Sequence, residues 1–177
     1  MIRYAHLIPF LPLASFFVNI AVGKRLPRKG DWLCLGTIAI GLAMSIGIFY
    51  EVFGAYDPNF RYHVVVPWMN VADRALYNTG ILVDNLTAVM LVVVTGVSFL
   101  VHLFSVGYMH GDPRYNRFFA YLSIFSFSML GLVLADSLFF IYIFWELVGL
   151  SSYLLIGFWF EKKSAADACK KAFIVNR

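Results

Sequence analysis

Charge is scarce in this sequence. Asp, Glu, Lys and Arg make up 14% of its 177 residues, where soluble domains carry about a quarter. A water-facing globule is excluded by that shortage. Cysteine is nearly absent too. Cys34 and Cys169 stand at the ends of apolar stretches with nothing in the sequence to pair them. A disulfide is not expected, and no metal-ligand spacing occurs. There is no glycine-rich phosphate loop and no nucleophile–base pair. Nothing in the chain suits it to hold a nicotinamide, a flavin or an iron–sulfur centre. The formal net charge of +4 does not point to nucleic acid, because the basic residues cluster in short connections between apolar runs.

Those apolar runs dominate what is present. The sequence is 61% hydrophobic, with 18 Phe, 10 Tyr and 4 Trp, and its mean hydropathy is +0.77. Such a composition defines a polytopic membrane protein, with aromatic residues suited to spanning and interfacial positions. Five runs reach the roughly 20 residues that a bilayer requires. They cover residues 5–22, 32–53, 81–108, 118–135 and 137–160. Pro9 and Pro12 are expected to kink the first. The first run is not a signal peptide, since no small-residue cleavage site follows it and Lys24-Arg25 is on the wrong flank. The fourth and fifth runs are nearly continuous and are parted at Asp136-Ser137. Asp136 is read as the cap that starts the fifth helix.

Lys24, Arg25, Arg28, Lys29, Arg114, Arg117, Lys162, Lys163, Lys170 and Lys171 fall on one side of this arrangement. Arg3, Arg61 and Arg74 fall on the other. The excess of basic residues marks the inner side, so the amino terminus is expected outside. The long connection at 54–80 is then external. Its stretches Tyr62–Met69 and Leu76–Val83 are rich in β-branched and aromatic residues, which predicts a short β-hairpin with Pro67 on an edge. Ser164, with Asp167 in the first turn, is read as the entry to a sixth helix. That helix is cut short by the end of the sequence, so the expectation is a longer protein. The fold expected is all-α, with five transmembrane helices, a truncated sixth and the outer hairpin.

One residue stands out against this background. Glu146 lies midway along the fifth run, where a carboxyl group costs roughly 2.5–3.5 kcal/mol to insert. An acid retained at that cost is expected to be an ion or proton site. The competing reading is an ion pair that merely packs helices together. Helical spacing puts Tyr142, Gly149 and Tyr153 on its face. Two hydroxyls, a gap at Gly149, and Ser151 and Ser152 one turn on together suggest a hydrated half-path. His102, within the third run, is a candidate proton relay, against the plainer reading of a packed histidine. Asp84 is read as a first-turn acid on the dipole of the third helix. His6, His63 and His110 lie in loops or at interfaces and carry less signal.

Longer motifs carry a resemblance. Arg117-Phe118-Phe119-Ala120-Tyr121, Ser128-Met129-Leu130, Val133-Leu134-Ala135-Asp136 and Trp145-Glu146-Leu147-Val148-Gly149-Leu150-Ser151-Ser152-Tyr153-Leu154-Leu155-Ile156-Gly157-Phe158-Trp159 resemble subunit L (subunit 5) of proton-pumping NADH:quinone oxidoreductase, respiratory complex I. Val83-Asp84-Asn85-Leu86-Thr87-Ala88-Val89-Met90 and Lys171-Ala172-Phe173-Ile174-Val175-Asn176-Arg177 resemble it as well. The likeness is specific over 80–177 and is one of layout before that. It implies an antiporter-like module, of which 81–177 is the first part and 1–80 the preceding helices and outer loop. It also implies that Glu146 is the glutamate of helix five, with lysine partners on helices beyond Arg177. NADH, flavin, iron–sulfur clusters and quinone are then expected on other subunits, with no cofactor in this chain. The expected partners are the other membrane-arm subunits and the lipid bilayer. The expected location is a bacterial cytoplasmic membrane. The rival readings are a monovalent cation/proton antiporter subunit and a non-conducting scaffold fragment.

Overall fold

A computed structural model describes residues 1–54, 57–71 and 74–176. Five of its helices are long and apolar enough to cross a membrane. They are α1 (Leu7–Val22), α2 (Asp31–Gly54), α3 (Asn85–Tyr108), α4 (Tyr115–Leu134) and α5 (Leu138–Ile156). A shorter α6 (Lys163–Asn176) follows. Between α2 and α3 lies a hairpin of β1 (Arg61–Val71) and β2 (Arg74–Asp84). The expected helices, the sixth element and the hairpin are therefore all present.

Four helices close on one another. α1 packs on α2 and α4, and α3 packs on the same two helices. α5 lies against α4, and α6 lies against α5. Toward the hairpin the bundle is filled by Ile8, Ile48, Val52, Val83, Leu91, Leu130 and Leu134. At the other end Cys34, Met109, Tyr115, Phe119 and Phe158 form a second cluster. Cys34 and Cys169 are both free thiols, on α2 and α6. Polar side chains inside the bundle turn back on their own helices. Ser45, Thr95, Ser105, Ser126 and Ser128 each donate to the carbonyl four residues earlier. A hydroxyl bound this way is satisfied without water, which suits apolar surroundings.

The hairpin is antiparallel, running in register from Arg61↔Asp84 to Val71↔Arg74 with irregularities around Met69. Pro67 stands opposite Asn78. In a two-stranded sheet every strand is an edge, which accommodates a residue with no N–H. The turn residues 72 and 73 lie outside the described residues. An isolated bridge pairs Ile81 with Ala135, so the hairpin is fastened to the connection between α4 and α5.

Two helix starts differ from expectation. The third run loses 81–84 to β2, and α3 begins at Asn85 with Asp84 as its N-cap. The Asp84 carboxylate accepts the Thr87 N–H at 2.7 Å. The cap of α5 is Ser137, whose hydroxyl accepts from Phe140 N at 3.4 Å, and not Asp136. Asp136 turns toward the hairpin instead. The fifth helix also stops at Ile156 rather than 160, and α6 begins one residue before Ser164.

Candidate proton site

Glu146 occupies the middle of α5, about two turns from Leu138 by helical geometry and partly buried. Nearby residues of α5 meet α6. The Trp145 indole N–H donates to the Asn176 carbonyl at 3.1 Å. The Asn176 side chain lies directly over Gly149, where an added Cβ would collide with its amide. Tyr153 meets Phe173 edge to face at 5.7 Å. The space that Gly149 leaves is thus filled by Asn176. Of the residues expected on the Glu146 face, Gly149 and Tyr153 lie at the seam with α6, whereas Tyr142 is 60% exposed.

Tyr153 also borders two cavities. One, of about 280 Å³, is shared with Arg114, Arg117, Phe158 and Lys170 at the basic end of the bundle. The other, of about 330 Å³, lies between α5 and α6 beside Leu150 and Phe173. Ser151 and Ser152 donate to the Val148 and Gly149 carbonyls and so are tied to their own helix.

His102 sits apart from this seam. It is fully buried on α3. Its Nδ1 lies 2.7 Å from the Ser98 carbonyl, so that nitrogen carries the proton. Its Nε2 is buried with no hydrogen-bond partner among the described residues. α4 is the helix on which both α3 and α5 pack.

Two polar clusters were not legible as sites in the sequence. At the basic end, Asp31 is buried and accepts from the Tyr115 hydroxyl at 3.0 Å, from Trp32 N at 2.7 Å and from Arg28 at 3.3 Å. Beside it Asn19 is fully buried, with Gly23 and Gly30 pressed over its amide oxygen. Gly30 has φ +80°, a conformation that glycine adopts without strain. At the opposite end His63 Nε2 meets Asp136 Oδ2 at 3.0 Å. Only an acid within an apolar run, Asp136, hinted at the second cluster. Nothing in the sequence joined it to His63. No group of three or more potential metal ligands occurs among the described residues.

The fold defines a polytopic membrane protein, with five helices long and apolar enough to cross a bilayer. Residues 68–119 match the family described as NADH-ubiquinone oxidoreductase (complex I), chain 5 N-terminus. Residues 135–177 match NADH:quinone oxidoreductase/Mrp antiporter, TM. The chain belongs to the chain 5 family of these oxidoreductases. It is 46% identical to NAD(P)H-quinone oxidoreductase subunit 5, chloroplastic, of Mesostigma viride, covering 99% of this chain and 27% of that protein. It is 45% identical to NAD(P)H-quinone oxidoreductase chain 5 of Picosynechococcus sp., over 99% of this chain and 27% of the relative. The chain therefore spans about a quarter of the length of these relatives. A subunit of the membrane-bound sulfane sulfur reductase, an archaeal respiratory membrane complex, shares the fold at a TM-score of 0.78 and 17% identity. That match covers 97% of this chain and 34% of the other.

Proposed function

We propose that the chain is part of the membrane arm of an NADH:quinone oxidoreductase and contributes to redox-driven proton translocation, with Glu146 as the proton-carrying residue. One observation carries this reading. In a chain of the complex I chain 5 family, a carboxyl group sits at mid-depth of α5, the helix whose face meets α6. Glu146 alternates between a charged state paired with a lysine and a neutral state, and the position of that lysine selects between them. The lysine lies on a helix outside this chain. Tyr153, on the wall of the cavity at the basic end, and Tyr142 supply hydroxyls to the path, and His102 serves as a relay on α3. Residues 81–177 form the first part of the antiporter-like module, and 1–80 the preceding helices and outer loop.

NADH, flavin, iron–sulfur clusters and quinone reside on other subunits, and the partners of this chain are membrane-arm subunits and lipid. The amino terminus faces outward from a bacterial cytoplasmic membrane, a reading supported by the excess of basic residues at the other end. A second reading, a cation/proton antiporter subunit, draws on the antiporter in the description of the family matched over 135–177. The relatives, which are NAD(P)H-quinone oxidoreductase subunits, favour the oxidoreductase.

The test is Glu146→Gln in the assembled complex, reading proton flux per NADH alongside the amount of complex. Gln keeps the shape and removes the titrating group. Flux should fall to a small fraction with assembly intact, and Glu146→Asp should retain more. Normal flux in a fully assembled Gln variant would remove Glu146 from the path. Lost assembly instead would assign it to a packing ion pair.

A further inference from the structure

α1 and α4 pack along their lengths but part at the basic end, leaving a groove of about 540 Å³. Ile20 and Val22, in the last turn of α1, form one wall. Asn116, Arg117 and Tyr121, from the first two turns of α4, form the other. Arg25 reaches the groove from the short turn that follows α1. Two guanidinium groups on different elements thus face one space.

Neither Arg25 nor Arg117 pairs with a carboxylate among the described residues. The neighbouring arginines are committed elsewhere, Arg28 to Asp31 and Arg114 to Glu161. Asn116 is buried and donates to the Asn19 carbonyl at 3.4 Å, which links that wall of the groove to α1. Along the same stretch of α1, Phe17 and Ile20 are more than half exposed. The groove therefore joins two uncompensated cations to an apolar surface at the depth where a membrane helix ends.

We propose that this groove binds the phosphate headgroup of an anionic membrane lipid, with Arg25 and Arg117 as its ligands and the exposed face of α1 beside its acyl chains. A guanidinium offers forked N–H donors that match two phosphate oxygens, and it is never neutral. Two such forks from different elements can hold one phosphodiester between them. A basic pocket between membrane helices at the positively charged side is the setting in which anionic headgroups are held. Tyr121 stands at the groove edge, where an aromatic with a polar tip suits the interface.

The experiment uses the full chain, isolated from its membrane in mild detergent, with fluorescent phosphatidylglycerol as the probe. Phosphatidylglycerol should bind more tightly than phosphatidylcholine. Arg25→Gln and Arg117→Gln should each weaken it about fivefold, and the pair together about 25-fold. Arg117→Lys should fall between, since it keeps the charge without the fork. Lys162→Gln, a basic change outside the groove, should leave binding unchanged. Undiminished binding in the double Gln variant overturns the proposal, as does equal affinity for phosphatidylcholine. Displacement of the probe by inorganic phosphate as readily as by unlabelled lipid would show a soluble-phosphate site instead. A photo-crosslinking side chain at position 117 should capture lipid in native membranes, and exclusive capture of polypeptide would reassign the groove to a protein neighbour. If the double Gln variant does not fold, the Arg117→Lys titration and the crosslink decide the matter.

Discussion

The Tyr115 hydroxyl donates to Asp31 Oδ2 at 3.0 Å and so ties the start of α4 to the start of α2, 84 residues apart. Both groups are buried, and the carboxylate also holds Arg28 and the Trp32 N–H. A hydrogen bond to a charged group contributes about 1.5–3 kcal/mol. Tyr115→Phe keeps the ring and removes only the donor. It should lower stability by about that amount, measured as the midpoint of a denaturant titration in detergent. An unchanged midpoint would mean that water or another donor replaces the hydroxyl at no cost.

At the hairpin end, Asp136 is a buried acid whose charge should become a cost once its partner His63 has gone. Its carboxylate is only 6% exposed, and Oδ1 has no hydrogen-bond partner among the described residues. His63→Ala leaves that buried acid without its near neighbour and should cost about 1–3 kcal/mol. Adding Asp136→Asn should recover part of the loss. Additive single and double variants would show that the contact contributes nothing. Gly80→Ala tests the same corner by volume. A Cβ there would meet the Val64 carbonyl oxygen and Asp136 Oδ2. Limited proteolysis should then cut the hairpin faster, and unchanged cutting would mean that the strands relax freely.

The loop before α4 and the loop before α6 are joined by Arg114 and Glu161, at 2.9 Å, and by the Trp159 indole N–H donating to Asp112 at 3.1 Å. The hydrogen bond from Arg114 holds the Glu161 carboxyl below the usual range. The unfolded chain therefore binds that proton more readily, and stability rises with pH through the window. The contribution is complete above the unfolded value, about 4.3, and is lost as pH falls through the lower folded value. Glu161 is 60% exposed, so salt should screen the pair. Backbone hydrogen exchange at 110–115, corrected for intrinsic rates, should lose protection across that window. Glu161→Gln should remove the pH dependence. A dependence that survives the substitution would place its origin in another acid.

Much of this arrangement could be read from residue order. Five apolar lengths sufficed for five helices, and β-branched stretches around Pro67 sufficed for the hairpin. The errors have physical causes. An apolar run does not distinguish a strand that leads into a helix from the helix itself, so 81–84 were read as part of the third span. Asp136 and Ser137 are both good caps. Tertiary pairing with His63 decided between them, and that partner lies 73 residues away. The mid-helix position of Glu146 was legible because an acid in lipid is conspicuous. The Asp31–Tyr115 pair was not, because an acid just before an apolar run looks like any surface residue. The filling of the Gly149 gap by Asn176 depended on how α6 folds back, which no local pattern encodes.

His102 allows stability and function to be separated. Its Nδ1 proton is held by the Ser98 carbonyl, and its Nε2 lone pair is buried without a donor among the described residues. An acceptor left dry in this way is a cost to folding, about 1–3 kcal/mol. An apolar residue of similar size removes that cost while losing one hydrogen bond within the helix. His102→Leu should therefore leave stability unchanged or raise it slightly, whatever the histidine does. Proton flux gives the second axis. If His102 relays protons, flux in the assembled complex should fall in His102→Leu despite normal assembly, and His102→Gln should not restore it, since an amide cannot exchange a proton at neutral pH. Full flux in both variants would make His102 a packed side chain only. A large loss of stability in His102→Leu would show that Nε2 has a partner in the assembled protein, supplied from outside the residues described.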